Sequence, residues 1–444
     1  MNPLQLSKTF GWKLYGIPKT FEGISINSKT VKVGNLFVPL KGKKFDGHLF
    51  IEEAIRKDAV GFLFESSKLD KKLLKKLTVR AFALEVKDTF KALQTLARLR
   101  REFFKGKEII AITGTAGKST TKELIAHLLK GAGTVYKTEG NLNSQVGLPL
   151  TVAAANERVD FWVLEMGASE KGNIKRLVEI AKPTLSVLTS LGFAHLEGFG
   201  NFQNLILAKG EIFLGKEVRK AVLPQEALFY YKHLLENKRT ETFKGLPFYR
   251  FTSKGRTAIN LYGKRVEVNL LGEGIVKAIL VASKVLEILE LPVRELLLEL
   301  LPSFRGLKGR MKPILGKDFL VIDDSYNANP LSMEAALNTL IKVEGYDRRV
   351  AILGDMLELG DIEVKAHRDL GLLLEKLPIS EIYLFGRLTR HTCGEIKSKP
   401  CHHFEDKEKL LKRLKAKEPR KGSVYLVKGS RSLKMEEVLE IFIT

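Results

Sequence analysis

The run Ile109-Ile110-Ala111-Ile112-Thr113 leads straight into Gly114-Thr115-Ala116-Gly117-Lys118-Ser119-Thr120. A β-branched stretch, a glycine turn and a Lys-Ser pair opening a helical pattern suit the gripping of a nucleoside triphosphate. Glycines let main-chain N–H groups approach the phosphates, and the Lys118 ammonium adds charge. The Ser119 hydroxyl is of the type that reaches a magnesium ion. The spacing departs from the common G-x-x-x-x-G-K-[ST] once, with Ile112 where the first glycine belongs. The plain alternative is an ordinary strand–turn–helix corner.

Ligands of open α/β sheets sit beyond the carboxyl ends of the strands, so polar residues just after apolar runs carry the remaining candidate chemistry. Glu165 follows Phe161-Trp162-Val163-Leu164 and offers the oxygen that magnesium prefers; capping a helix is its ordinary alternative. His195, in Ala194-His195-Leu196-Glu197-Gly198, could ligate a metal, although a lone histidine is more often structural. Spacing alone puts Lys209 along an apolar helix face with its amine in water. Asp323-Asp324-Ser325-Tyr326-Asn327-Ala328-Asn329-Pro330 is a polar strand-end turn where ligand contacts are readily placed. Leu353-Gly354-Asp355-Met356 and Val427-Lys428-Gly429-Ser430-Arg431 end two further apolar runs in the same way.

The elements that would position these residues fall into three regions. Residues 1–86 hold short β-rich pieces at 23–26 and 35–40, a helical pattern at 50–57 and an apolar strand at 59–65. A long amphipathic helix from Asp88 to about Phe104 leads on. Residues 87–305 alternate strands (108–113, 134–137, 161–165, 185–189, 221–224) with helices (119–130, 145–155, 173–180, 202–214). That order predicts a parallel sheet covered on both faces. A hairpin over 258–271 around Gly263 and helices at 274–289 and 294–301 follow, then a Gly-bearing linker over 302–309. Residues 306–444 repeat the alternation as a smaller doubly wound unit. Its strands are at 319–323, 349–353, 382–385 and 424–427, and its helices at 331–343, 365–376, 407–417 and 433–442.

The chain has 444 residues, enough for two or three domains with real cores. No run approaches the ~18 apolar residues of a membrane span, and the start lacks the regions of a signal peptide, so a cytoplasmic location is expected. Two cysteines, Cys393 and Cys401, exclude a disulfide framework and lack zinc spacing. The net charge of +23 invites nucleic-acid binding, but the basic residues are spread along the chain. Runs such as Lys71-Lys72-Leu73-Leu74-Lys75-Lys76 read as solvated helix faces. No nucleic-acid partner and no membrane insertion are expected, and a monomer is the expected state.

Read together, the motifs resemble the Mur ligase family over nearly the whole chain. The phosphate loop resembles Thr113-Gly114-Thr115-Ala116-Gly117-Lys118-Ser119-Thr120-Thr121, with Ser119 where most members have Thr. Gly140-Asn141-Leu142-Asn143-Ser144, Glu165-Met166-Gly167-Ala168-Ser169 and Ala194-His195-Leu196-Glu197-Gly198-Phe199-Gly200 add specificity. So do the Asp323–Pro330 block, Leu353-Gly354-Asp355-Met356-Leu357-Glu358-Leu359-Gly360 and Lys428-Gly429-Ser430-Arg431-Ser432. Ser25-Ile26-Asn27-Ser28-Lys29-Thr30-Val31 and Phe45-Asp46-Gly47-His48 resemble the UDP-binding region of members that act on muramoyl peptides.

The resemblance implies an α/β protein of three domains. These are a small UDP-muramoyl-binding domain (1–86), a central P-loop-type parallel-sheet ATPase domain (87–305) and a C-terminal Rossmann-like domain that binds the amine substrate (306–444). It implies ATP-dependent joining of D-alanyl-D-alanine to UDP-N-acetylmuramoyl-tripeptide through an acyl phosphate, in peptidoglycan precursor synthesis. Lys118 would hold the ATP phosphates with Gly114, Thr115, Ala116, Gly117, Ser119 and Thr120. Ser119, Glu165 and His195 would hold Mg2+, and Lys209 would carry a carbamate; Lys118, Lys209 and His195 form the catalytic set. Arg310 and Asp324 would contact ATP, and Ser28 and Thr30 would lie near the uridine. Asn141, Asn143, Tyr326, Asn327 and Asn329 would contact substrates, Asn329 and its neighbours facing the dipeptide. The chain departs from the family at Asn27 and Lys29, where Asp and Arg are usual, and at Lys277, which takes the place of an adenine-contacting Asn. Two rivals are a folylpolyglutamate synthase-like Mur-type ligase, which should lack the UDP-binding domain and the Asp323–Pro330 block, and a nucleic-acid-dependent ATPase.

Overall fold

The computed structural model describes residues 1–42, 45–192 and 199–443. The central region is built on a six-stranded, wholly parallel sheet. Its order is Arg239–Phe243, Lys220–Pro224, Leu185–Leu188, Glu108–Thr113, Phe161–Glu165, Val135–Lys137. Side chains of a strand alternate between its faces, and here that alternation divides two cores. Ile109 and Ala111 pack on one side with the helices Thr89–Glu102 and Asn173–Ala181. Ile110 and Ile112 pack on the other with Lys118–Leu129 and Glu273–Ile288. Each fully buried isoleucine contributes about 1.5–3 kcal/mol to this arrangement. Burial on both faces is why the strand reads as an unbroken apolar run.

The N-terminal sheet has five strands in the order Lys13–Tyr15, Phe82–Val86, Gly61–Glu65, Asn35–Phe37, Gly23–Ser25, with the first antiparallel to its neighbour. One of its faces, with Leu36, Leu63 and Leu84, joins the same core cluster as Ile109 and Trp162, in which its strands touch the helices Thr89–Glu102 and Gly147–Ala153. The C-terminal sheet runs Lys312–Leu315, Phe319–Asp324, Ser423–Lys428, Arg348–Gly354, Glu381–Phe385, Cys401–Phe404. It is parallel except at its first strand. Between the central and C-terminal sheets lies a three-stranded antiparallel piece, Tyr249–Phe251, Thr257–Leu261 and Lys264–Val268.

One expected helix is corrected. The span 433–442 is not one helix but the 3-10 turns Arg431–Leu433 and Met435–Leu439 followed by Glu440–Ile443. Lys434 takes a left-handed φ of 48° at the break, which a continuous right-handed helix cannot contain. Among the described residues no helix is long and apolar enough to cross a membrane.

Candidate active site

The phosphate-loop candidate is held from behind by the next strand of the sheet. Gly114 has a φ of 152°, and a Cβ there would sit 2.1 Å from Thr189 Oγ1, so no other residue fits. Gly117 caps the helix Lys118–Leu129 in the left-handed region at φ 81°, and no side chain covers the helix end. The first amides of that helix therefore face the cleft with the positive end of its dipole. Ser190 Oγ accepts from the Ala116 amide at 2.9 Å, and Thr189 Oγ1 donates to the Ala116 carbonyl at 2.6 Å, which pins the loop. Lys118 is folded back onto the loop, Nζ donating to the Gly114 carbonyl at 2.9 Å. Burial holds its ammonium pKa below the ordinary value; Glu165 opposes that shift and Arg310 reinforces it.

Glu165 ends the strand Phe161–Glu165 at 1% exposure. Its Oε1 accepts from Ser119 Oγ at 3.1 Å and from Asn143 Nδ2 at 2.7 Å. Its Oε2 is buried without a hydrogen-bond donor, with the fully buried Lys122 ammonium 3.9 Å away. A buried carboxylate oxygen without a donor is costly, and a divalent cation beside Ser119 would satisfy it. Among the described residues no three His, Cys, Asp or Glu side chains gather to enclose a metal. That donor set suits magnesium, which retains several waters and takes one or two protein oxygens. His195 lies outside the described residues.

Lys209, on the helix Phe202–Gly210, is 3% exposed rather than solvated as its spacing alone suggests. Its amine lies 5.6 Å from the centre of the Phe199 ring. Burial pushes its pKa down to about 7, with Lys118 adding to the shift and Glu211 opposing it. Both Glu211 oxygens are occupied by main-chain donors, Gly172 N at 2.6 Å and Lys175 N at 3.0 Å.

The opposite wall comes from the C-terminal sheet. Asp324 Oδ2 accepts from Lys428 Nζ at 2.6 Å and Oδ1 from the Met311 amide at 3.1 Å. Burial raises the Asp324 pKa, against the pull of Lys428. Lys428, 2% exposed, also donates to the Asn327 carbonyl at 2.8 Å, so one ammonium fixes the turn after the strand. The Arg310 guanidinium stacks 4.3 Å from the centre of the Tyr326 ring. Asn329 caps the helix Pro330–Lys342, its Oδ1 accepting from the Ser332 amide at 2.8 Å.

These two walls face each other across a cleft of about 440 Å³. Thr115, Ala116, Gly117, Lys118, Ser119, Thr120, Asn141, Asn143 and Glu165 line it from one side, and Arg310, Asp324, Tyr326, Asn327 and Asn329 from the other. Gly114 stands behind the loop, and Lys209 is not among the lining residues. Thr30 lines a separate groove of about 500 Å³ where the first region meets Leu142, Leu150 and Ala154. Ser28 does not reach that groove; it is buried, its hydroxyl donating to Glu53 at 2.8 Å. Lys277 turns away from the cleft, its amine 5.9 Å from the centre of the Phe243 ring. Lys428 and Glu273 also line the cleft. The sequence marks the first as a strand-end lysine, which on its own assigns no place in the site, and Glu273 follows no apolar strand that would single it out.

Three family models match in chain order: "Mur ligase family, catalytic domain" over residues 20–101, "Mur ligase middle domain" over 112–285 and "Mur ligase, glutamate ligase domain" over 309–431. The UDP-N-acetylmuramoyl-tripeptide–D-alanyl-D-alanine ligase of Bacillus subtilis is 31% identical, covering 94% of this chain and 92% of its own. The Escherichia coli enzyme of the same name is also 31% identical, over 98% and 96%. Among solved structures, MurF from Acinetobacter baumannii superposes with a TM-score of 0.86 at 26% identity, covering 99% of this chain and 98% of that one. MurF from Thermotoga maritima in complex with ADP gives 0.80 at 32% identity, over 95% and 97%.

Proposed function

The chain belongs to the Mur ligase family, and we propose that it joins D-alanyl-D-alanine to UDP-N-acetylmuramoyl-tripeptide at the expense of ATP. The observation that carries this reading is the cleft itself. A helix N-terminus with a lysine faces a wall bearing Asp324, Tyr326 and a capped Asn turn, so a phosphate donor and an amine acceptor can meet in one enclosed space.

Residues 87–305 hold ATP, with the free amides of the phosphate loop and the Lys118 ammonium on its phosphates. The tripeptide carboxylate attacks the γ-phosphorus; a C–O–P bond forms, the bond to the β-phosphate oxygen breaks, and ADP keeps that electron pair. The dipeptide amine then attacks the acyl carbon, inorganic phosphate leaves, and the amine's proton passes to solvent. Charge builds on phosphoryl oxygens in both steps, and donors fixed in advance stabilise it most effectively. Ser119 and Glu165, together with His195, would hold magnesium, which would further neutralise the phosphates. Arg310 and Asp324 touch the nucleotide from the C-terminal side. Asn141, Asn143, Tyr326, Asn327 and Asn329 bind the acceptor and the peptide. Residues 1–86 hold the uridine end, with the groove beside Thr30 supporting that assignment. All these residues come from one chain, so a monomer suffices.

Lys209 carries a carbamate. An amine near neutrality has an available lone pair at pH 7; it attacks carbon dioxide, forms an N–C bond and loses one proton to water. The product is an anion within reach of the Lys118 field. Incubation with ATP, UDP-muramoyl-tripeptide and D-alanyl-D-alanine tests the whole reading: phosphate is released only when all three are present, and release without the dipeptide would refute it.

A further inference from the structure

At the rim of the cleft, three residues from three elements converge on one oxygen. Glu273 opens the helix Glu273–Ile288, Lys342 closes the helix Pro330–Lys342, and Tyr249 begins the strand Tyr249–Phe251. Lys342 Nζ lies 2.9 Å from Glu273 Oε1 and 3.5 Å from the Tyr249 hydroxyl, which itself donates to the same carboxylate oxygen. A carboxylate at a helix N-terminus and an ammonium at a helix C-terminus each complement their own dipole, so both charges sit where their helices favour them. The Tyr249 strand is anchored to the C-terminal region. Phe251, 1% exposed, packs in that region's core; its carbonyl accepts from Glu344 N at 3.0 Å, and Tyr346 Oη donates to the Ser253 carbonyl at 2.8 Å. Beside Glu273, the backbone passes the other wall so closely that a Cβ on Gly272 would lie 3.3 Å from Thr339 Oγ1. Glu273 and Thr339 both line the cleft.

We propose that Glu273, Lys342 and Tyr249 form an interdomain latch that sets the width of the cleft, making Glu273 and Lys342 positioning residues for ligation. The wall that bears Asp324, Tyr326 and Asn329 is thereby kept at working distance from the phosphate loop. This role in catalysis rests on the ligase reading above; the latch itself does not.

The test uses the full chain as Glu273→Lys, Lys342→Glu and the double exchange. Both residues are partly exposed, at 37% and 50% for their side chains. An exposed pair shifts an equilibrium by up to about fivefold, and repulsion after reversal adds a similar factor. Each single reversal is expected to raise the KM for the dipeptide by about three- to tenfold with kcat little changed. It should also enlarge the radius of gyration in X-ray scattering with ADP present, and the double exchange should recover most of both. Raised ionic strength should move the wild type toward the single variants. Single variants matching the wild type in scattering and KM would overturn the proposal, as would a double exchange without recovery. If a reversal does not fold, Lys342→Met and Tyr249→Phe carry the same measurements with the same expectation. Scattering needs no turnover, so a wild type inactive with the three substrates would sink the ligase reading while leaving the latch to be decided.

Discussion

Replacing Lys428 by Met removes one ammonium and leaves a largely buried carboxylate, its side chain 14% exposed, facing no cation at contact distance. Lys428 is 2% exposed and donates to Asp324 at 2.6 Å and to the Asn327 carbonyl at 2.8 Å. Breaking one side of a buried pair costs about 3–5 kcal/mol. At about 2–4 °C per kcal/mol for a unit of this size, the transition that melts the C-terminal sheet should fall by roughly 6–20 °C at pH 8. The pH dependence has a definite sign. Burial already raises the Asp324 pKa, and Lys428 is the leading group that opposes the rise, so its loss raises that pKa further. A carboxyl with a higher pKa in the folded than in the unfolded chain loses stability as pH climbs from its unfolded toward its folded pKa. Protonation at low pH therefore relieves the variant, and the deficit should shrink toward about 1 kcal/mol near pH 4, the worth of a neutral hydrogen bond. Calorimetric scans of both proteins from pH 4 to 8 measure this, with Lys428→Met/Asp324→Asn as the repaired double variant. A deficit below about 2 °C at pH 8, or one that widens on acidification, would refute the reasoning.

Three further outcomes are expected. Lys118→Ala should lower turnover by about 10²–10³-fold, since it removes a preorganised charge from the phosphoryl oxygens; near-normal phosphate release would remove the loop from the chemistry. Glu165→Gln should weaken the magnesium-dependent part of ADP binding by at least about tenfold while barely changing binding in chelator, read by titration in the two buffers; equal losses in both would argue against a metal ligand. Lys209→Ala should be slow and partly recovered by a small added carboxylic acid, and full activity without that addition would show that no carbamate is needed.

Much of the architecture is legible in the chain because its central strands are buried on both faces. The spans expected at 108–113, 161–165 and 407–417 coincide with Glu108–Thr113, Phe161–Glu165 and Lys407–Lys417. The edge strands at 23–26 and 134–137 are legible too, but other edge elements are not. Lys13–Tyr15 and Lys312–Leu315 are short and half-exposed, and Arg239–Phe243 reads Arg-Thr-Glu-Thr-Phe, which carries no apolar run. Their pairing partners, distant in sequence, create them. For the cleft, residues at strand ends are conspicuous because a polar type follows an apolar run, as at Glu165 and Asp324. Lys209 escapes such reasoning, since helical spacing cannot tell a snorkelling lysine from one sealed at 3% exposure. Glu273 and Lys342, 69 positions apart, are brought together only by the folded chain.

The most direct measurement is a calorimetric titration of the folded protein with ADP in magnesium buffer, run beside Lys118→Ala. One saturable site that is largely lost in the variant is the expected result. Absence of heat and of any thermal shift with the wild type, at nucleotide concentrations up to the millimolar range, would contradict a phosphate-gripping loop and the ligation built on it.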